Sequence, residues 1–292
     1  MTDVPAAAVP VLDGASRLLG NYEAVFCDVW GVLHNGVHAY AAAGEALARF
    51  RAAGGTVVLV SNSPAPSASV SILLDRIGVR RDAWDAIITS GDLTRRHLQE
   101  RGYRRIHHIG PSRDMRVFAG LEIEHVDIDR ASAVVCTGVI DDRNDSGESY
   151  RPLLSRALAL RLPFVCGNPD LVVEVGGALL PCAGTIAALY ETLGGDVHWA
   201  GKPYRPAYAG AHELAEETSG KTIAPSQILG IGDAVRTDLA GAAGYGVDCL
   251  LIGQGIHRDE LMPAGRLEPA RLDQLLQTTP HRPVAVMPTL AW

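Results

Sequence analysis

Short apolar runs alternate along this chain with segments in which apolar residues recur at helical spacing. The apolar runs predict strands over 24–27, 56–60, 85–90, 227–231 and 248–252. Helical spacing and turn residues predict helices over 44–53, 66–77, 207–218 and 239–245. A regular alternation of strand and helix is typical of a parallel sheet with right-handed crossovers. The pattern therefore predicts an α/β fold.

The stretch from 91 to 198 has a strand and helix pattern of its own. Strands are predicted over 105–109, 121–126, 133–137, 163–166 and 178–180, and helices over 94–101, 150–160 and 183–193. A connection of this length that carries its own elements is a domain rather than a loop. We therefore predict an α/β domain at 91–198, inserted into a core formed by 1–90 and 199–292. The strand over 248–252 is expected to be the last one.

Composition limits the partners and the compartment. The 292 residues are 47% hydrophobic, and 26 lysines and arginines against 33 aspartates and glutamates give a net charge of −7. A negative chain does not attract nucleic acid or an anionic membrane as a whole. No apolar run approaches the about 18 residues of a membrane span. The five cysteines form no CxxC pair, which favours buried, reduced thiols. These features predict a cytoplasmic protein without a nucleic-acid or membrane partner.

Several polar and charged side chains that could take part in catalysis lie at the ends of predicted strands or between turn residues. In an open parallel α/β sheet, ligands bind just outside the carboxyl ends of the strands. An Asp there is a nucleophile, a base or a metal ligand, or alternatively the cap of a loop or helix. Together the groups supply a nucleophile, oxyanion donors, a charge neutraliser and a magnesium site for displacement at phosphorus. The candidates are Asp28, Ser61, Asn62, Lys202, Asp233 and Asp238.

A family resemblance lies in four stretches. They are 24–36 (AVFCDVWGVLHNG), 57–63 (VVLVSNS), 199–203 (WAGKP) and 228–238 (ILGIGDAVRTD). In order, they resemble motifs I to IV of the haloacid dehalogenase (HAD) superfamily. Residues 166–170 (CGNPD) and 181–185 (PCAGT) resemble its class IIA branch, which has a large C2-type α/β cap and includes sugar-phosphate and nucleotide phosphatases. The resemblance implies a Rossmann-like parallel-sheet core and an inserted cap at 91–198 that selects the substrate.

The resemblance also implies roles for the residues of the core motifs. Asp28 would form an aspartyl-phosphate, and Lys202 would pair with Asp28 and the phosphate. Ser61 and Asn62 would donate hydrogen bonds to the transferring phosphoryl group. A Mg²⁺ site is implied as well, because hard oxygen ligands suit magnesium. Its ligands would be Asp28, the backbone carbonyl of Trp30 and Asp233, with Asp238 as a second carboxylate ligand or as outer-shell support.

In the inserted domain, the resemblance indicates Asn168 and Asp170 as substrate-binding residues. The loop over 174–182 is expected to face the catalytic residues, although Gly176 and Gly177 equally suit a hairpin turn. Caps of this family often take part in dimer contacts, so a homodimer is also expected.

Trp30 departs from the family pattern. Phosphatases of this family usually carry a second Asp two residues after the nucleophile, which protonates the leaving group and activates the water. Positioned acid–base catalysis is typically worth about 10²–10⁴-fold. With an indole there, another group supplies the proton, turnover is slow, or the leaving group needs no proton. His34 is the only titratable alternative nearby in the sequence, and a loop role suits it better.

The resulting hypothesis is a Mg²⁺-dependent hydrolase, most simply a phosphatase of a small phosphorylated metabolite. Trp30 leaves two alternatives open: hydrolysis at carbon, of a haloacid or phosphonate, and weakly catalytic binding of a phosphorylated ligand. Asp233, Asp238 and the inserted domain favour the phosphatase over dehalogenation, because attack on carbon needs no metal-binding pair.

Overall fold

The structure, a computed structural model, describes residues 9–175 and 178–292. Its strands, in chain order, are β1 (Ala24–Cys27), β2 (Thr56–Ser61), β3 (Ala86–Thr89), β4 (Arg105–Ile109), β5 (Glu124–His125), β6 (Ala133–Cys136), β7 (Phe164–Cys166), β8 (Val172–Val175), β9 (Ala178–Pro181), β10 (Val197–Trp199), β11 (Ile228–Gly232), β12 (Asp248–Ile252) and β13 (Ala285–Met287). Its helices are α1 (Ser16–Leu19), α2 (Ala41–Ala52), α3 (Ser67–Ile77), α4 (Ser90–Arg101), α5 (Arg151–Ala159), α6 (Ala183–Thr192), α7 (Arg205–Ser219), α8 (Ala240–Tyr245), α9 (Arg258–Leu261) and α10 (Pro269–Gln277). None of the helices in this described part is both long and apolar enough to cross a membrane.

Six parallel strands form the central sheet, in the order β13-β12-β11-β1-β2-β3. Successive residues of β1 face opposite sides of it. Val25 and Cys27 pack in one apolar cluster with α2 and α3, whereas Ala24 and Phe26 pack in another with α7. Because both faces are buried, the strands read as continuous apolar runs in the sequence. The predicted α/β fold with a parallel core sheet is confirmed.

Five further parallel strands form a second sheet, in the order β10-β7-β6-β4-β5. Helices α5 and α6 cover one face of it, where Phe164 packs against Tyr190. Leu98 of α4 and Phe118 cover the other face. This sheet lies between residues 105 and 199, so all of it except Trp199 falls in the region predicted as the cap. The domain boundaries themselves stay a prediction.

Residues of the segment at 174–182, for which the sequence allows both a loop and a hairpin, pair in two antiparallel strands, β8 and β9. Val172 pairs with Pro181 and Val175 with Ala178. The strand predicted near 178–180 is confirmed, but β8 was not predicted, because its largely exposed valines lack the alternation of buried and polar positions that marks a strand. The turn predicted at Gly176 and Gly177 lies outside the described residues, as do residues 1–8 of the predicted core.

The prediction that the strand over 248–252 is the last one is wrong. Strand β13 pairs with β12 and forms an edge of the central sheet. It has three residues and lies between Pro283 and Pro288, so it gives no periodic signal in the sequence. The strand predicted over 121–126 is also shorter, at Glu124–His125.

Candidate active site

Three polar strand ends meet at one edge of the central sheet. Strand β1 lies between β2 and β11. Asp28 directly follows β1, Ser61 ends β2, and Asp233 directly follows β11. Because the strands are parallel, their carboxyl ends share one edge, where ligands of α/β sheets bind. The fold thus brings together groups that are far apart in the sequence.

Lys202 is the positive centre of this site. Its Nζ donates hydrogen bonds to Asp28 Oδ1 at 2.5 Å and to Asp238 Oδ1 at 2.7 Å. The residue is only 3% exposed. Burial lowers the pKa of Lys202, but the carboxylates of Asp238 and Asp28 outweigh burial and raise the pKa well above its usual value. Lys202 therefore stays charged and joins the two carboxylates.

Asn62 holds the backbone of Lys202 in place. Its Oδ1 accepts from the Lys202 backbone N–H at 2.8 Å, and its Nδ2 donates to the Lys202 carbonyl at 3.1 Å and to Asp170 Oδ1 at 2.9 Å. A Cβ at Gly201 would lie 2.6 Å from Asn62 Oδ1 and 2.2 Å from Ser90 Oγ, so glycine is needed there. The Asn62 amide is thus engaged within the protein, and its donation to a phosphoryl group stays a prediction.

Ser61 keeps its hydroxyl hydrogen available. Its Oγ accepts from the backbone N–H of Ser63 at 3.2 Å and lies in the wall of the cavity. Within the described residues, no protein acceptor takes the Ser61 O–H. A hydroxyl both accepts and donates, so Ser61 can donate to an oxygen inside the cavity.

Asp28, Asp233 and Asp238 form a buried carboxylate cluster. One oxygen of each lies within 4.8 Å of the others. When all three are ionised, Lys202 offsets one of three negative charges. Burial raises the pKa of Asp28 to about 7 and raises the pKa of Asp233 well above its usual value. Three hard oxygen donors with an uncompensated negative charge fit a divalent cation such as Mg²⁺.

Two glycine loops close on Asp233, and the sequence prediction did not include one of them. A Cβ at Gly31 would lie 2.2 Å from Asp233 Oδ2, and a Cβ at Gly255 would lie 2.0 Å from the same atom. Both glycines have positive φ, at 84° and 136°. The backbone N–H of Ile256 donates to Asp233 Oδ2 at 2.7 Å. The glycines at 253 and 255, directly after a strand, were the available signal for this loop.

Trp30 forms a wall of the site and reaches the hairpin. Its Nε1–H donates to the carbonyl of Glu174 in β8 at 3.2 Å. A Cβ at Gly36 would lie 2.4 Å from the indole ring, and the His34 ring meets it edge-on at 5.0 Å. The Trp30 carbonyl accepts none of the backbone hydrogen bonds among the described residues, which leaves it free for the predicted metal contact.

His34 lies outside the cavity. It is 1% exposed, and its Nδ1 accepts from the backbone N–H of Gly36 at 2.8 Å. Burial lowers the pKa of His34 to about 4. His34 is therefore a neutral residue of the loop at neutral pH, and the structure does not support it as the missing acid.

A cavity of about 560 Å³ lies between the core residues and the predicted cap. Asn168 and Asp170, the predicted substrate-binding residues, both line it, and Asn168 Oδ1 accepts from the Asp170 backbone N–H at 3.1 Å. Arg236 contributes a further contact by donating to the carbonyl of Pro169. The wall also contains residues that the sequence prediction did not include, among them Asn35, Val37, Tyr40, Val172, Val173, Gln254, Ile256 and Arg258.

Comparisons with known proteins agree with this architecture. A family model for haloacid dehalogenase-like hydrolases matches residues 25–124, and a second, HAD-hydrolase-like model matches residues 199–291. A hydrolase of the haloacid dehalogenase-like family from Brucella suis is 43% identical, with a TM-score of 0.85. That similarity covers 96% of this chain and 100% of the Brucella chain. No curated protein matches the chain.

Two more distant structures share the fold. A possible sugar phosphatase of the HAD superfamily from Cytophaga hutchinsonii is 19% identical, with a TM-score of 0.76 and coverage of 95% of this chain and 97% of its own. A p-nitrophenyl phosphatase from Archaeoglobus fulgidus is 20% identical, with a TM-score of 0.70 and coverage of 92% and 96%. With the 43% identity to the whole Brucella protein, these findings confirm the resemblance: the chain is an enzyme that belongs to the haloacid dehalogenase-like hydrolases.

Proposed function

We propose that this hydrolase is a Mg²⁺-dependent phosphatase that acts on a small phosphorylated metabolite through an aspartyl-phosphate at Asp28. The observation that carries the proposal is the position of Lys202, which bonds to Asp28 at 2.5 Å and to Asp238 at 2.7 Å beside a buried acidic cluster. A phosphate dianion repels a carboxylate nucleophile. A fixed cation beside the nucleophile offsets this repulsion.

Each polar group then has a role that its contacts support. One oxygen of Asp28 attacks phosphorus, and Lys202 stabilises the charge on the transferring phosphoryl oxygens. Ser61 donates its free hydroxyl hydrogen to one of these oxygens. Asn62 acts as a positioning residue, because its amide brackets the backbone of Lys202. Water then attacks phosphorus in the aspartyl-phosphate, which releases inorganic phosphate and restores the carboxylate.

Asp28, Asp233, Asp238 and the carbonyl of Trp30 are the groups that would hold Mg²⁺. When bound, Mg²⁺ supplies charge neutralisation and polarises a phosphoryl oxygen. Asp233 is aligned for this role by the Ile256 N–H, and Asp238 by the Ala234 N–H, which donates to its Oδ2 at 3.1 Å.

The substrate class follows from the cavity and from the relatives. A volume of about 560 Å³ suits a small metabolite. The proteins from Cytophaga hutchinsonii and Archaeoglobus fulgidus are named as a possible sugar phosphatase and a p-nitrophenyl phosphatase. Asn168 and Asp170, which line the cavity, would contact the substrate from the cap side. Homodimerisation and a cytoplasmic location remain predictions from the sequence.

The test is phosphate release from 4-nitrophenyl phosphate, sugar phosphates and nucleotides, with Mg²⁺ and with a chelator. We expect turnover that needs Mg²⁺ and disappears in Asp28→Asn. If no phosphate is released from any compound, the phosphatase proposal fails. Release of chloride from a haloacid, or cleavage of a phosphonate, would then support the alternative of hydrolysis at carbon. Tight binding of a phosphate ester without turnover would support the ligand-binding alternative.

A further inference from the structure

The side chain of Trp30 is fixed against the wall of the cavity. Its Nε1–H is bonded to the Glu174 carbonyl on one side, and the backbone of Gly36 lies directly against the ring on the other. These two contacts hold the indole in its place in the wall. Two residues after Asp28, the cavity presents an aromatic face that has no proton to give to a leaving oxygen, since the indole N–H is already donated to the cap.

Among the described residues, five carboxyl groups line the cavity: Asp28, Asp170, Glu174, Asp233 and Asp238. Three of them form the nucleophile and the proposed metal site. Asp170 is held by the Asn62 amide through its Oδ1. Glu174 sits on the exposed hairpin, with its backbone, rather than its side chain, bonded to Trp30. Burial raises the pKa of Asp170, and the Glu174 carboxyl also lines the cavity. Neither stands two residues after Asp28, where the family resemblance places the acid, and both are tested by substitution below.

The non-carboxyl groups of the wall do not replace it. Burial raises the pKa of Tyr40, which makes its phenol a poorer proton donor. Arg258 carries a guanidinium, which offers N–H hydrogen-bond donors to a ligand. His34 is buried outside the cavity, with its Nδ1 already bonded. Val37, Val172, Val173 and Ile256 add apolar surface to the wall.

We propose that the enzyme acts on phosphate compounds whose leaving group is planar or apolar and departs as a stable anion, as in aryl, enol or acyl phosphates, with Trp30 as the specificity-determining residue. This inference rests on the proposed phosphatase function. Trp30 shapes one wall of the cavity and is bonded to the hairpin, and the position two residues after the nucleophile supplies no acid.

The reaction balances without such an acid. A lone pair of Asp28 forms the new P–O bond, and the bond from phosphorus to the leaving oxygen breaks. The leaving group keeps that electron pair and departs as a phenolate, enolate or carboxylate. Water then attacks phosphorus, the P–O bond to Asp28 breaks, and the two protons of water go to phosphate and solvent. An alkoxide is a far poorer leaving group, so alkyl phosphates should react slowly.

The experiment compares 4-nitrophenyl, phenyl and benzyl phosphate with wild-type enzyme and Mg²⁺. Phenyl and benzyl phosphate have the same ring, but one releases a phenolate and the other an alkoxide. The readout is kcat/KM, which reports the transition state up to the first irreversible step. We expect kcat/KM to fall in the order given, with benzyl phosphate about 10³-fold below phenyl phosphate, the scale of a missing general acid. Benzyl phosphate within tenfold of phenyl phosphate overturns the inference.

Two substitutions of Trp30 separate its chemistry from its packing. In Trp30→Asp, a carboxyl is restored two residues after the nucleophile, and we expect the benzyl-to-phenyl ratio of kcat/KM to rise about 10²-fold. In Trp30→Phe, the wall stays aromatic without an acid, and the ratio should stay as in the wild type. Thermal unfolding establishes that both variants are folded. A folded Trp30→Asp with an unchanged ratio overturns the assignment of Trp30.

Two further variants check for a hidden acid. In Asp170→Asn and Glu174→Gln we expect the same benzyl-to-phenyl ratio as in the wild type. A selective loss of benzyl phosphate hydrolysis of more than tenfold in either variant would identify a proton donor and refute the inference. Failure of the proposed function is a separate outcome, since it means that none of the three esters releases phosphate.

Discussion

The floor of the cavity and its hairpin wall are built in opposite ways. On the floor, Asp28, Asp233, Asp238 and Lys202 are 3–8% exposed, and each is bonded to another group of the protein. On the wall, β8 and β9 form a two-stranded sheet of their own, and Leu179 is 63% exposed. The Trp30–Glu174 hydrogen bond ties this wall to the core.

The difference in burial between floor and hairpin separates the catalytic residues from the residues that select the leaving group. A buried charged cluster tolerates little change, because a lost partner leaves a charge without compensation. An exposed hairpin can change its side chains at little cost to folding, since surface substitutions are usually within about 0.5 kcal/mol. We therefore expect reaction type to be set by the floor and leaving-group choice by the wall. The predictions below test this division, in order of decreasing effect.

The largest expected effect is on the nucleophile. In Asp28→Asn, kcat/KM should fall by about 10⁴-fold or more, the scale found when a catalytic nucleophile is removed. Stability without metal should not fall, because one of three crowded carboxylates is neutralised. Phosphate release and thermal unfolding measure the two effects. Asp259→Asn, an exposed aspartate of α9, is the matched control. Activity of Asp28→Asn within tenfold of the wild type contradicts the assignment.

Lys202→Met tests whether the charged groups of the floor depend on one another for activity and stability. We expect kcat to fall about 10²–10³-fold, as when one preorganised transition-state donor is lost. Unfolding free energy should also drop by about 3–5 kcal/mol, because Asp28 and Asp238 lose their buried partner. Enzyme assays and urea unfolding measure both. Lys221→Met, on an exposed lysine, should change neither quantity. If Lys202→Met keeps the wild-type free energy of unfolding, the ion pairs of Lys202 with Asp28 and Asp238 do not stabilise the fold, which contradicts this prediction.

The floor was predictable from the sequence, and the wall was not. Asp28, Ser61 and Asp233 follow apolar runs that are buried on both faces, so parallel pairing alone brings them to one edge. The pairing of Asn62 with the Lys202 backbone joins residues 140 apart in the chain, and nothing in local spacing specifies it.

The contact between Trp30 and Glu174 spans 144 residues and uses a backbone carbonyl, which carries no residue-type signal. Strand β8 escaped prediction because its valines face solvent and the cavity rather than a core. Local hydrophobic patterns in a sequence indicate which residues are buried in a core. The residues of this wall face the cavity and solvent, so such patterns do not identify them.

The loop between floor and wall should carry a pH dependence through His34. Burial lowers the pKa of His34 from 6.5 to about 4, so between these values the unfolded chain binds more protons than the folded one. Stability from this residue is therefore complete above pH 6.5 and is lost as pH falls towards 4, by an amount on the order of 3 kcal/mol. Urea unfolding at pH 7.5 and 5.0 measures the loss.

Two variants of the same loop distinguish the contribution of His34 to the pH dependence of stability from that of the carboxylates. His34→Gln should show a smaller loss of stability at pH 5.0 than the wild type, because the titrating imidazole is gone. His38→Gln, at an exposed position four residues on, should show the wild-type loss. Equal pH dependence in His34→Gln and the wild type would mean that the loop admits the charged imidazole.

The smallest effect is expected on the wall, and it gives the sharpest test of the division. Val172 lines the cavity and is 40% exposed, whereas Leu179 on the paired strand is 63% exposed and does not line it. Val172→Ala removes apolar surface next to the leaving group, so KM for an aryl phosphate should rise about threefold to tenfold, as for about 1 kcal/mol of lost contact. The value of kcat should stay within twofold, because no group on the floor moves.

Leu179→Ala should change neither constant, although it removes more side chain from the same hairpin. If both substitutions raise KM equally, the hairpin acts through its overall stability. If Val172→Ala lowers kcat instead, the wall takes part in the chemical step, and the separation of chemistry from selection does not hold in this enzyme.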